Sequence, residues 1–292
     1  MRRHRASLLA VTALAALAAC DARPEPAADL RAGPETGSAR RVISLVPSVT
    51  DLIVALDASD RLIARTDYDE HPVLDTLPSA GEGLTPNVEW LVAQQPDLVI
   101  AWPDEQGRGV VARLERLGVP VMPVRLESVA EVAAVTRRLG HALGLAGRAR
   151  ALADSITAGL DSVAASVRGL PRPSVLYVVG VDAPWAAAPG SFMHELIVIA
   201  GGSNAAPADG PAWVQLSLEE VVRRAPDFVF TPAHGDGDAA VRALAGAPGW
   251  RELEAARQGR VVAVDGALFD RPGPRLPEAA ARLADVLHPE RP

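Results

Sequence analysis

Asn87-Val88-Glu89-Trp90-Leu91-Val92-Ala93-Gln94-Gln95-Pro96-Asp97-Leu98-Val99-Ile100 has a second copy, Ser217-Leu218-Glu219-Glu220-Val221-Val222-Arg223-Arg224-Ala225-Pro226-Asp227-Phe228-Val229-Phe230, 130 positions later. Each copy opens with a side chain that caps a helix, Asn87 or Ser217. A short amphipathic helix follows, proline ends it, and the apolar run after Pro-Asp reads as a buried parallel strand. Asp51-Leu52-Ile53-Val54-Ala55-Leu56 likewise matches Glu195-Leu196-Ile197-Val198-Ile199-Ala200 at an offset of 144. Each of these helices follows an apolar strand, at 41–46 and 174–179. Repetition at this scale points to one plan used twice, and strands alternating with helices point to parallel sheets.

The expected fold class is therefore α/β: two Rossmann-like lobes with mostly parallel sheets, 41–127 and 171–292, and a ligand cleft between them. The connecting segment, 128–170, carries almost no strand signal and breaks at Gly144-Leu145-Ala146-Gly147. From Arg148 onward Leu152, Ile156, Leu160, Val163 and Val167 recur at helical spacing. That pattern predicts one helix of about 20 residues, about 30 Å long, as the bridge between the lobes.

The first residues read as an export signal. Met1-Arg2-Arg3-His4-Arg5 is positive, 6–17 is apolar and too short to span a bilayer, and Leu17-Ala18-Ala19 leads into the sole cysteine, Cys20. This pattern resembles a bacterial lipoprotein signal. The resemblance implies removal of 1–19, acylation of Cys20 and a lipid anchor on the outer face of the cytoplasmic membrane or in the periplasm. Residues 21–40, rich in Ala, Pro, Gly and charge, read as a flexible tether.

With Cys20 modified, no thiol is left for a disulfide, a zinc site or a nucleophile. Without Arg2, Arg3 and Arg5 the chain has 26 basic and 36 acidic residues, which argues against a nucleic-acid partner. The histidines show no metal-ligand spacing, and neither a metal nor a cofactor is expected. An exported α/β enzyme is the alternative of another class, but the G-x-S-x-G, G-x-G-x-x-G and phosphate-loop patterns that would support it are missing.

In an open α/β sheet the ligand sits beyond the carboxyl ends of the strands. Those positions hold Ser48, Asp67, Tyr68, Glu82 and Trp102 in the first half. In the second they hold Asp182, Trp185, Phe192, Trp213, His234, Phe269 and Arg271. The aromatic members suit a flat or polycyclic ligand, while Arg271 and Asp182 either orient its polar edge or pair with neighbours.

Arg41-Val42-Ile43-Ser44-Leu45-Val46-Pro47-Ser48-Val49-Thr50, the Pro-Asp-Leu-Val-Ile-Ala-Trp run at 96–102, Gly201-Gly202-Ser203-Asn204 and Arg271-Pro272-Gly273-Pro274-Arg275 resemble the helical-backbone periplasmic binding proteins of ABC importers. The resemblance covers about 41–288 and is greatest to cobalamin-binding members. It implies a corrinoid ligand held by aromatics of both lobes, matched here by Tyr68, Trp102 and Trp213. Haem or a ferric siderophore is the alternative cargo within the same fold, and Tyr68 or His234 could serve haem as an axial ligand. It further implies a monomer whose Glu89 and Glu219 dock on a permease dimer. A further cleft tryptophan and a cleft aspartate of those members are not matched, at Gly83 and Ala267.

Overall fold

A computed structural model describes residues 39–103, 105 and 109–291. The signal segment 1–19, Cys20 and the tether up to 38 lie outside the described residues. The tether's expected last residues are anchored: Ala39 is buried with its N–H on Ala142 O, and Arg40 N–H reaches Asp97 Oδ2.

Two separate sheets form. The first has the order β2-β1-β3-β4, from Leu62–Ala64, Val42–Ser44, Leu98–Ala101 and Val121–Pro123, and every pairing in it is parallel. The second runs β10-β9-β5-β6-β8, from Val261–Asp265, Phe228–Ala233, Ser174–Val179, Trp185–Ala187 and Trp213–Gln215, with β7 (Ser203–Asn204) beside β5. It is mixed: β9 pairs parallel with β10 and β5, and β7 with β5, whereas β6 pairs antiparallel with both β5 and β8. The physical reason is the connection. Only five residues separate β5 from β6, and Gly180 turns there at φ 90°, whereas a parallel return needs a crossover of a dozen or more.

Strand residues alternate between two buried faces. Leu98 and Ile100 enter one core while Val99 and Ala101 enter another; Val175 and Tyr177 likewise oppose Leu176 and Val178. The first of these cores is common to both sheets. It continues from Val42 and Leu98 through Val132, Leu139, Ile156 and Leu160 to Val175, Tyr177 and Phe230.

The helix Ala146–Ser166 lies in the chain between β4 of the first sheet and β5 of the second. At its start Arg148 Nη1 donates to Leu56 O beside the first sheet, and at its end Ser166 Oγ accepts from Arg291 Nη1. Val129–Ala142 and Leu276–Leu287 pack along it. Gly159 lets Leu276–Leu287 approach closely, since a Cβ there would lie 2.8 Å from Pro277 Cβ. Val129 N–H also donates to Glu195 Oε2, tying the first of these flanking helices to the second half.

The sequence repeat is a structural repeat at the level of single bonds. Asn87 Oδ1 accepts from Trp90 N–H, and Ser217 Oγ accepts from Glu220 N–H within a capping box. Gln95 and Ala225, each preceding proline, both adopt left-handed backbone at φ 52° and 43°. Proline disfavours right-handed helix in the residue before it, so the two helices stop at equivalent places. Asp97 then accepts from the N–H groups of Arg40 and Arg41 at the start of β1, and Asp227 accepts from Ser174 N–H and Oγ at the start of β5.

Candidate functional site

A cavity of about 720 Å³ lies at the carboxyl ends of the strands of both sheets. Pro47 and Ser48 follow β1, Tyr68 and Glu70 follow β2, Trp102 follows β3, and Leu126 and Glu127 follow β4. From the second half come Ser191 and Phe192 at a helix start, Trp213 on β8, His234 after β9, and Gly266, Asp270 and Arg271 after β10. Trp213 begins β8; most of the other positions lie where the chain has left a strand. The helix Pro47–Ala55 starts there with proline in its first turn, and Phe192–Ile199 is capped by Ser191 Oγ, which accepts from His194 N–H.

Of the residues expected at the cleft, Ser48, Tyr68, Glu82, Trp102, Phe192, Trp213, His234 and Arg271 line it. Asp67, Asp182, Trp185 and Phe269 do not. Phe269 closes the four-residue helix Gly266–Phe269 and is 1% exposed, buried in the shared core. The next two residues, Asp270 and Arg271, turn into the cleft instead. Trp185 lies on the antiparallel part of the second sheet, paired with Gln215 and Val179, and is 48% exposed. Asp67 accepts from Ser79 Oγ on its own loop, and Asp182 borders a shallow surface recess with Glu219.

Trp102 and Trp213 are both half-buried, so each shows part of its ring to the cleft. Trp213 is held edge-on to Tyr177, with ring centroids 6.2 Å apart at 72°. Beneath them runs a polar chain that sequence reasoning missed. Tyr177 OH donates to Asp270 Oδ1 at 2.9 Å, and His234 Nε2 meets Asp270 Oδ2 at 3.0 Å. Burial pushes the Tyr177 phenol well up, and the Asp270 charge adds to this. Burial also raises Asp270, against the opposing pull of Tyr177, His234 and Arg271. The His234 ring lies against the α-carbon of Gly266, where a Cβ would come within 2.3 Å of it.

Arg271 is spoken for within the protein. Its Nη2 donates to the backbone carbonyl of Tyr68 and stands 3.5 Å from Glu70 Oε2. The cleft is consequently acidic, with Glu70, Glu82, Glu127 and Asp270 facing one arginine and one histidine. Two helix starts add roughly half a positive charge each, which does not reverse the balance.

Glu89 and Glu219 are both exposed in the first turns of the repeated helices, Val88–Ala93 and Leu218–Arg224. The Glu89 carboxyl is held below its usual range by its own backbone N–H and by Arg113, with which it forms an ion pair. Val88 and Leu91 of the first helix are buried in the same core as Val99 of β3, and Val221 of the second in the same core as Val229 of β9.

Among the described residues no group of three or more His, Cys, Asp or Glu could hold a metal ion, and no helix is long and apolar enough to cross a membrane. Glu70, Leu126, Glu127 and Asp270 reach the cleft without having stood out in the sequence. The signal that could have found Asp270 is its place next to Arg271, just beyond a short helix.

The chain is 32% identical to a cobalamin-binding protein of Halobacterium salinarum over 262 residues, covering 85% of this chain and 69% of that one. It is 29% identical to an uncharacterized ABC transporter substrate-binding lipoprotein of Bacillus subtilis, over 86% of this chain and 81% of the other. A periplasmic heme-binding protein of Pseudomonas aeruginosa shares its fold with a TM-score of 0.77 and 28% identity, covering 87% of this chain and 95% of that chain. The family model for periplasmic binding proteins matches residues 42–268, the span that holds both sheets and most of the cleft lining, and the chain belongs to that family.

Proposed function

We propose that this protein is the solute-binding component of an ABC importer and that its cargo is a corrinoid. Its relatives are solute-binding proteins rather than enzymes. The observation that carries the choice of cargo is the charge of the cleft. Trp102 and Trp213 offer rings from the two halves to a broad flat molecule, while four carboxylates line the same cavity. Haem brings two propionates, and like charges brought together in a partly dry cleft repel. A corrinoid instead carries peripheral amides, whose N–H groups suit carboxylates and whose carbonyls suit helix starts. The cobalamin-binding relative supports the same choice.

In this reading Cys20 carries the lipid anchor outside the cytoplasmic membrane, and the monomer meets a two-fold permease through Glu89 and Glu219. Placement of one exposed carboxylate on each repeated helix supports that docking mode. Ser48, Tyr68, Glu82, Trp102 and Trp213 are the proposed cargo contacts.

Titration calorimetry with cyanocobalamin, haem and ferric siderophores tests the proposal. Cyanocobalamin is expected to bind most tightly and to be recovered unchanged. Binding of haem or a siderophore in its place would overturn the choice of cargo, and chemical conversion of a ligand would favour an enzyme.

A further inference from the structure

The chain Tyr177–Asp270–His234 has no part in a cleft that merely encloses its cargo. Three observations define it. His234 Nε2 is engaged by Asp270 Oδ2 at 3.0 Å, and the other oxygen of that carboxylate is fixed by the buried Tyr177 hydroxyl at 2.9 Å. The imidazole rests on the bare α-carbon of Gly266, a position any Cβ would fill. Its side chain is nevertheless 67% exposed and lines the cavity. A carboxylate on Nε2 keeps the proton there and leaves the lone pair on Nδ1, the arrangement by which proteins orient an imidazole toward a metal. Among the described residues no group of three or more His, Cys, Asp or Glu could hold a metal ion, so a metal facing this imidazole would be one carried by the cargo.

Resting on the corrinoid reading above, we propose that His234 is an axial ligand to the cargo's cobalt and that the cleft accepts corrinoids lacking their own nucleotide base. In such a molecule the axial position is held by water. The Nδ1 lone pair forms the new Co–N bond, the Co–O bond to water breaks, and water leaves with its electron pair. Cobalt keeps its oxidation state and no proton moves. Asp270 and Tyr177 are positioning residues: they hold the ring and fix its tautomer through Nε2.

The test mixes the full chain with diaquocobinamide and follows both the visible absorption of the corrinoid and the quenching of tryptophan fluorescence. Binding is expected to shift the corrinoid bands toward those of an imidazole-ligated cobinamide. His234→Ala and His234→Gln should bind without that shift. Asp270→Asn should keep a shift but need roughly tenfold more protein to develop it. An unshifted spectrum on quenched protein, or a full shift in both His234 variants, overturns the ligation while leaving the corrinoid reading intact. A protein that binds neither diaquocobinamide nor cyanocobalamin overturns both.

Discussion

Arg271 and Tyr68 meet across the cleft, the guanidinium of one half donating to the main-chain carbonyl of the other. The contact turns a residue expected to face the ligand into a clasp between the halves. The surrounding charges explain its position: Glu70 stands beside it, and its charge acts on the half-buried Asp51 and on Asp69 of the first half and on Asp270 of the second.

Replacing Arg271 with Gln should destabilise the fold by about 1–2 kcal/mol at neutral pH. Burial raises Asp51 and Asp69, with Arg271 opposing the rise. For groups raised on folding, the stability they confer is complete below their unfolded pKa and is lost as pH climbs through the folded value. Without the arginine those folded values climb further, so the deficit of the variant should shrink on acidification as both carboxyls take up protons. Thermal melts at stepped pH would check this; a deficit that grew in acid would contradict it.

Trp102→Ala and Trp213→Ala should each weaken cyanocobalamin by about 2 kcal/mol, roughly thirtyfold in Kd. Trp185→Phe, outside the cleft, should change affinity little. Calorimetry on the three variants separates cleft tryptophans from surface ones.

Gly83 and Gly81 share a left-handed backbone, φ 84° at both, yet differ in surroundings. A Cβ on Gly83 would lie 2.4 Å from Leu45 O, whereas Gly81 faces open space. Gly83→Ala should therefore cost on the order of 2–4 kcal/mol, and Gly81→Ala about 1 kcal/mol. Denaturant titration of both would show whether the close approach or the dihedral dominates. The cobalamin-binding resemblance had implied a tryptophan near Gly83, where no Cβ fits unless the backbone at Leu45 shifts.

Glu89→Arg combined with Glu219→Arg should leave ligand affinity as it is and abolish uptake in cells. Exposed ion pairs such as Glu89–Arg113 exchange partners readily, so docking on a permease arginine faces little competition. Uptake at the original rate would remove both residues from the permease interface.

Asp227→Ala should lower the melting temperature at neutral pH, since two donors of Ser174 lose their acceptor. The Ser174 N–H and hydroxyl hold this carboxyl below its usual range. Its contribution is present above the unfolded pKa and disappears as pH falls through the folded one. The variant and the parent should thus converge in strong acid, as circular dichroism can follow.

Much of the architecture was legible because it is written twice. Pro96-Asp97 and Pro226-Asp227 mark the same turn, and the apolar runs after them have the right length and composition for buried strands. The antiparallel excursion was not legible: β6 is three residues long, and Trp185-Ala186-Ala187 carries no strand period of its own. Cleft residues after clear strands, such as Trp102 and His234, could be placed from the sequence. Around Gly266–Phe269 the local pattern could not show that Phe269 turns inward while Asp270 and Arg271 turn out. The pairing of His234 with Asp270, 36 positions apart, exists only once β9 and β10 lie side by side.

The apolar interior common to the two sheets has a mechanical corollary. Swinging the halves apart like jaws would wet Ile156, Leu160 and their neighbours, at about 25 cal/mol for each Å² uncovered. A receptor built this way waits with its groove already shaped, so capture is not taxed by a rare competent state. Letting go is then the harder act, and the work for it has to come from outside the fold.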